Sequence, residues 1–305
     1  MQKLLFFIVL LFAFQLSAQT ERLVQIPETH LFNARYSPDG RYIAFTKDNY
    51  RGLYVLETST GRITELTDHA SAGFGYSWSA DSRMILTKCS RFTETTREDA
   101  VIVFYPESGT ALQLTDFSYG PHIIPSWAGE NSVVTGTAKE ISTINLNREK
   151  TAEIAHPYAY FDKIAVPSAG KVNSLLTNSL TAEKSILNFS LSSDKSKAVF
   201  ELLGGGIYVW DIKKNTFNYI DLGNRPAFSQ DGSRIAYMKT TDDGHMMLTS
   251  EIWVSDITGA AKIMVTDTPS RIETDPSFAP DGLSIIYSEL NSGAIYSTVT
   301  EGGLR

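Results

Sequence analysis

Cysteine is almost missing from this chain: Cys89 is the only one in 305 residues. No internal disulfide can form, so a small cross-linked scaffold is excluded, and a lone thiol of this kind reads as a buried small hydrophobe. Basic clusters are missing as well. The longest is Lys213 with Lys214, and the formal net charge is −7. Neutralising a phosphate backbone takes clustered Lys and Arg, so a nucleic-acid partner is excluded. Past the N-terminus no apolar stretch approaches the roughly 20 residues of a membrane-spanning helix. Glycine is too sparse for collagen, and 42% hydrophobic residues are too many for a disordered chain. Long helical periodicity is lacking. What is present is a foldable sequence with many β-branched and aromatic residues, long enough for one large or two ordinary domains.

Residues 1–18, MQKLLFFIVLLFAFQLSA, set one early Lys before an apolar run from Leu4 to Phe14 and end on the small residues Ser17 and Ala18. That order is the layout of a secretory signal peptide cleaved after Ala18. The run of 11 residues is shorter than the roughly 20 an anchor needs, and no Cys follows it to accept a lipid. The mature chain, residues 19–305, then has 287 residues and a formal charge of −8. Its expected location is periplasmic or secreted.

One unit recurs six times: an aromatic or Leu, small or turn residues, an acid, then a β-rich run. The copies are YSPDGRYIAF from Tyr36, WSADSRMILT from Trp78, WAGENSVVTG from Trp127, LSSDKSKAVF from Leu191, FSQDGSRIAY from Phe228 and FAPDGLSIIY from Phe278. The acids are Asp39, Asp81, Glu130, Asp194, Asp231 and Asp281, at successive spacings of 42, 49, 64, 37 and 50. Asp and Gly there build a tight turn. Further short apolar runs follow, as in Leu53-Tyr54-Val55-Leu56 and Ile207-Tyr208-Val209-Trp210, so each unit reads as four antiparallel strands, a to d. A lone four-stranded sheet cannot bury both faces. Radial stacking of six gives an all-β, six-bladed β-propeller over residues 19–305.

The sixth unit stops after its third run, Ala294 to Val299, and lacks a fourth. An orphan run, Arg22 to Pro27, precedes the first unit. The N-terminal strand is therefore expected to complete the last blade and close the ring. Deleting residues 19–28 is expected to lower thermal stability sharply. The long gap before the fourth unit holds an insertion around 157–185, either an extra hairpin (Ala159 to Val166 with Lys171 to Leu176) or a degenerate seventh blade.

The pattern aromatic-Ser-Pro-Asp-Gly, then Ile-Ala-Phe, Ile-Tyr-Val-Trp-Asp and Leu-Thr-Asp, resembles the repeat of the TolB-type six-bladed propeller. The segment from Arg271 to Gly282 is an especially close match. The resemblance covers nearly all of residues 22–305 and implies the fold. TolB carries an additional N-terminal α/β domain that contacts envelope proteins, and this sequence has no counterpart to it.

Catalytic motifs are scarce. Gly75-Tyr76-Ser77-Trp78-Ser79 lacks the final Gly of a nucleophile elbow and its strand-turn-helix setting. Ser192 to Lys195 matches a Ser-x-x-Lys pattern but is a blade turn, and Gly204 to Gly206 opens no helix to cradle phosphate. The six turn acids read as turn structure.

Connections d to a and b to c all reach one end of a propeller. His69, His122 and His156 fall there and are either metal-ligand candidates or solvated loop residues. Propeller lyases acting on uronic-acid oligosaccharides hold a metal in that general place, which makes a glycan-directed enzyme the alternative reading. The long connections Lys88 to Asp99 and Lys239 to Ser250, with Arg91, Arg225, Arg271, Tyr76 and Tyr119, mark a binding face that could select anionic or carboxylate-bearing ligands. The tyrosines could instead pack between blades. Peptidases with a similar propeller keep their catalytic residues in a separate domain, and no segment is left here for one. The first reading is thus a monomeric, non-enzymatic binding propeller, without cofactor, that engages a protein or peptide partner in the cell envelope.

Overall fold

The computed structural model describes residues 20–120, 122–137, 140–151, 158–161, 164–167, 178, 180–181 and 184–300. Residues 1–18, read as an export signal, lie outside them. No helix among the described residues is long and apolar enough to cross a membrane.

Six antiparallel sheets follow one another around a ring. β1 (Thr20–Val24) precedes blade 1, formed by β2 (Leu31–Tyr36), β3 (Tyr42–Lys47), β4 (Arg51–Glu57) and β5 (Ile63–Thr67). Blade 2 holds β6 (Ser77–Trp78), β7 (Ile85–Phe92), β8 (Arg97–Tyr105), β9 (Thr110–Gln113) and the short β10 (Ser118–Tyr119), which pairs with the start of β8. Blade 3 is β11 (Ser126–Trp127), β12 (Ser132–Gly136), β13 (Ile141–Asn145) and β14 (Lys150–Thr151). A separate hairpin of β15 (Tyr158–Phe161) and β16 (Ile164–Pro167) comes next. Blade 4 comprises β17 (Ile186–Leu191), β18 (Lys197–Leu202), β19 (Gly206–Asp211) and β20 (Thr216–Asp221); blade 5 comprises β21 (Asn224–Phe228), β22 (Arg234–Asp242), β23 (Met247–Asp256) and β24 (Lys262–Met264). Blade 6 supplies β25 (Glu273–Phe278), β26 (Ser284–Glu289) and β27 (Ala294–Val299), and β1 is its fourth strand.

Closure follows the expected course with a shifted boundary. Thr20 pairs with Thr298, Arg22 with Tyr296 and, past a bulge, Val24 with Ile295. Pro27 has no N–H for a ladder, and the strand ends at Val24 rather than running on to Pro27. The insertion also differs in detail. The run Ala159 to Val166, read as one strand, is two strands paired with each other, Phe161 opposite Ile164, around the polar Asp162-Lys163 in the sequence. Its expected partner, Lys171 to Leu176, lies outside the described residues.

Apolar cores lie between blades, because alternate side chains of a strand face opposite neighbours. On β7, Ile85 and Cys89 pack with Leu53, Val55 and Tyr76 of the blade 1 side. Leu86 turns the other way, against Val133 and Ile144 of blade 3. Cys89 is fully buried, and burial pushes its thiol up to about 12, which makes it inert as a nucleophile.

The repeated acids are turn structure. Ser37, Ser79, Ser192 and Ser229 each donate to the acid two residues on, at 2.6–2.7 Å. The same serine oxygens accept the N–H five residues on, at 2.9–3.0 Å. The residue after the acid is left-handed in five blades: Gly40, Ser82, Lys195, Gly232 and Gly282. Where that residue is not glycine, its side chain ties the blade to its predecessor. The Ser82 hydroxyl accepts the Asp39 N–H at 3.0 Å, and Lys195 Nζ donates to the Trp127 carbonyl at 2.9 Å.

The Ser229 and Ser233 hydroxyls and the Ser233 N–H hold the Asp231 carboxyl down to about 2. A depressed carboxyl contributes stability above its unfolded value and loses it as pH falls towards the folded one. Ser229→Ala is expected to cost about 1 kcal/mol, lowering Tm by about 2 °C. A thermal melt that shows no loss would sink this account of the turn.

Candidate functional site

Connections from d to a and from b to c share one end of the ring, and strand a lines its channel. In five of the six blades the approach to the turn acid is irregular at one position. Six residues before the turn acid stand Asn33, Gly75, Asn188, Arg225 and Asp275, all with φ between 49° and 72°. In blades 1, 4, 5 and 6 the register of strand a slips at this point. A left-handed non-glycine residue costs roughly 1–2 kcal/mol and persists only where surrounding pairing holds it.

Two of these bulged residues meet. Arg225 Nη1 lies 3.3 Å from Asp275 Oδ1 and 3.4 Å from the hydroxyl of Tyr50, which belongs to blade 1. The Arg225 N–H donates to buried Glu201 at 2.9 Å. Tyr50 in turn packs edge-on against Phe74, 5.1 Å between centroids. Arg225 thus reaches across the channel mouth already neutralised. Asp275, Tyr50 and Glu201 were not anticipated from sequence, although aligning the repeats on their acids exposes a column of Asn, Gly, Asn, Arg and Asp, mostly residues that favour left-handed backbone.

Arg91 is paired twice to Glu98, at 2.6 and 2.7 Å, and lies over the Phe117 ring at 4.5 Å. Arg271 lies 4.7 Å over Tyr296. Tyr119 is 79% exposed. Tyr76, read as either a binding-face residue or one packed between blades, takes the second course: it is 1% exposed and donates to the carbonyls of Asn33 and Ala44 at 2.5 and 2.8 Å. It is a wedge between blades 1 and 2, because its ring fills the apolar seam and its hydroxyl satisfies backbone there.

The histidines part company. His69 stacks on Phe117 at 5.7 Å with Nδ1 held 2.7 Å from the Thr67 hydroxyl. His122 lies 3.1 Å from Ser118 Oγ through Nε2, while its buried Nδ1 has no hydrogen-bond partner and sits 3.8 Å from Asp99 Oδ2. His156 lies outside the described residues. Among the described residues no group of three His, Cys, Asp or Glu side chains is placed to hold a metal ion.

Asp99 organises the base of the blade 2 loops. Burial alone would lift its carboxyl, but Ser90, Lys88 and Arg97 hold it below the usual carboxylate range. Ser90 Oγ donates to it at 2.6 Å, Arg97 Nε at 3.0 Å, and the buried Lys88 Nζ lies 3.5 Å away.

The segments Lys88 to Asp99 and Lys239 to Ser250, read as loops, are extended hairpins. Strand b ends eight residues after the turn acid in blades 1, 4 and 6, but eleven after it in blades 2 and 5. Three further residues at about 3.3 Å each raise these tips by about 10 Å. In a six-membered ring blades 2 and 5 stand opposite each other. The two hairpins therefore stand on opposite sides of the channel mouth, with exposed Phe92 and Tyr119 on one side and Met246 and Leu248 on the other.

No protein-family model matches the chain, and no curated protein matches it. Solved structures do. Oligogalacturonate lyase from Vibrio parahaemolyticus is 13% identical with a TM-score of 0.50, the match covering 95% of this chain and 96% of that one. The C-terminal WD40 domain of Sif2 is 14% identical with a TM-score of 0.52, covering 93% and 99%. TolB from Acinetobacter baumannii is 14% identical, covers 90% of this chain and 55% of that one, and has a TM-score of 0.36. A likeness that loose does not narrow the family to the TolB type that the repeat suggested. These similarities show one thing about the chain: it has the β-propeller fold.

Proposed function

We propose that this chain is an exported, non-enzymatic binding propeller whose loop-rich end engages a protein or peptide partner in the cell envelope. The ring acts as a monomer, periplasmic or secreted, and presents the hairpins of blades 2 and 5 rigidly. One observation carries this reading. Of the eleven exposed large hydrophobic side chains among the described residues, six lie at that end: Phe92, Tyr119, Leu203, Leu222, Met246 and Leu248. Apolar groups gathered on one face and left to water mark an interaction surface.

Affinity capture from an envelope extract tests it. The mature chain is expected to retain a partner that is lost when residues 91–98 are replaced by a two-residue turn. Equal retention by both forms would reject this face as the binding surface.

A further inference from the structure

This inference rests on the binding-face reading above and concerns the chemistry of the partner. Arg271 lies over the Tyr296 ring, and three other arginines of the loop-rich end are spent internally: Arg91 on Glu98, Arg97 on Asp99 and Arg225 on Asp275. The carboxylates around the apolar tips are not. Among the described residues no Lys or Arg lies within ion-pair distance of Glu94 at the blade 2 tip, of exposed Asp116 on the connection leading to Tyr119, or of Asp242 and Asp243 at the blade 5 tip. Glu94 and Asp242 flank exposed Phe92 and Met246, each 68% exposed. Asp243 spends one oxygen on the N–H groups of His245 and Met246, which shapes the tip and leaves its charge uncompensated.

We propose that the channel mouth between the raised blade 2 and blade 5 hairpins takes a basic polypeptide segment with apolar side chains. Phe92, Tyr119, Met246 and Leu248 contact its apolar groups, and Glu94, Asp116, Asp242 and Asp243 contact its Lys or Arg. An anionic partner, the selectivity first read from the arginines, meets uncompensated carboxylates on both walls and is repelled.

Fluorescence anisotropy with three labelled peptides of equal length tests this: alternating Lys and Leu, alternating Glu and Leu, and alternating Lys and Ser. The Lys/Leu peptide is expected to bind the mature chain, and added salt should weaken it as charge pairing is screened. The Glu/Leu peptide should not bind, and the Lys/Ser peptide should bind at least about tenfold more weakly. A Phe92→Ser, Met246→Ser variant should lose about tenfold for Lys/Leu, as should a variant carrying Glu94→Gln, Asp116→Asn, Asp242→Asn and Asp243→Asn. All six side chains project from the fold, and an unchanged melting curve certifies each variant.

Hairpin-dependent binding of Glu/Leu in place of Lys/Leu would overturn the charge assignment and leave the binding face standing. Binding of Lys/Leu that neither variant alters, or no binding, would overturn the proposal. The capture experiment then decides the fate of the binding face separately.

Discussion

Removal of Thr20 to Glu28 is expected to lower Tm by about 10 °C or more, a larger effect than any single surface substitution should have. β1 is the outer strand of blade 6, and Val24, 6% exposed, packs with Leu31, Ile43 and Ile295 at the seam of blades 6 and 1. Withdrawing Val24 costs about 2 kcal/mol of burial, and each lost ladder bond adds about 1 kcal/mol. The total is about 5 kcal/mol, at about 2 °C per kcal/mol for a chain of this size. β27 would also be left as a bare edge open to pairing with other chains. The narrower variant Val24→Asp should reproduce much of the loss. A truncated chain that melts with the intact one would show that closure contributes nothing.

Glu273→Gln should have the opposite sign. Glu273 is fully buried between blades 5 and 6, where Thr268 Oγ1 donates to Oε1 at 2.6 Å. Its Oε2 is buried without a hydrogen-bond partner, and so is the hydroxyl of Tyr287, a fully buried residue of the same seam. Burial first, and then the nearby carboxylate of Glu251, push the Glu273 carboxyl above its ordinary value of 4.5, against the opposing pull of the Thr266, Thr268 and Tyr287 hydroxyls. The sign follows from linkage. A raised carboxyl contributes stability that is complete below its unfolded value and is lost as pH rises through the folded one. The wild type therefore carries a buried charge, or the work of suppressing it, at neutral pH, and the amide does not. The variant should gain little near about pH 4 and about 1–3 kcal/mol by about pH 8, or about 2–6 °C in Tm. A variant less stable than wild type at every pH would mean that the carboxylate holds the seam together.

Both residues show what the sequence could and could not convey. Six turn acids with apolar runs between them fix the blade count, because tight turns and buried strands need particular side chains whatever the ring does. The missing fourth run in the last unit points directly to β1. The tips, Arg91-Phe92 and Thr241-Asp242, read as loops for a physical reason: alternation reports burial on one face, and these exposed ends have no buried face to report. Lys88 and Ser90 are buried but polar, so their burial leaves no apolar mark in the sequence. Arg225 was noticed as a charge but not as half of a pair, since Asp275 is fifty positions away and only the bulge in each strand a brings them together. Glu273 carried no local mark. Its environment is made by Thr268 upstream, by Tyr287 of the neighbouring strand and by Glu251 of blade 5, which joins it only when two blades meet.

The seam that β1 closes also sets an order of events. Thr20 and Thr298 are separated by 278 positions, so their pairing is the most non-local among the described residues, and non-local pairings form late. Blades 1 to 5 can collapse on their nearest neighbours as they are made, whereas the ring cannot lock until blade 6 has been synthesised. Until then blades 2 and 5 have no set distance between them. Partner recognition across the channel mouth would therefore begin only after the first and last strands have met, and an incompletely made chain would be silent.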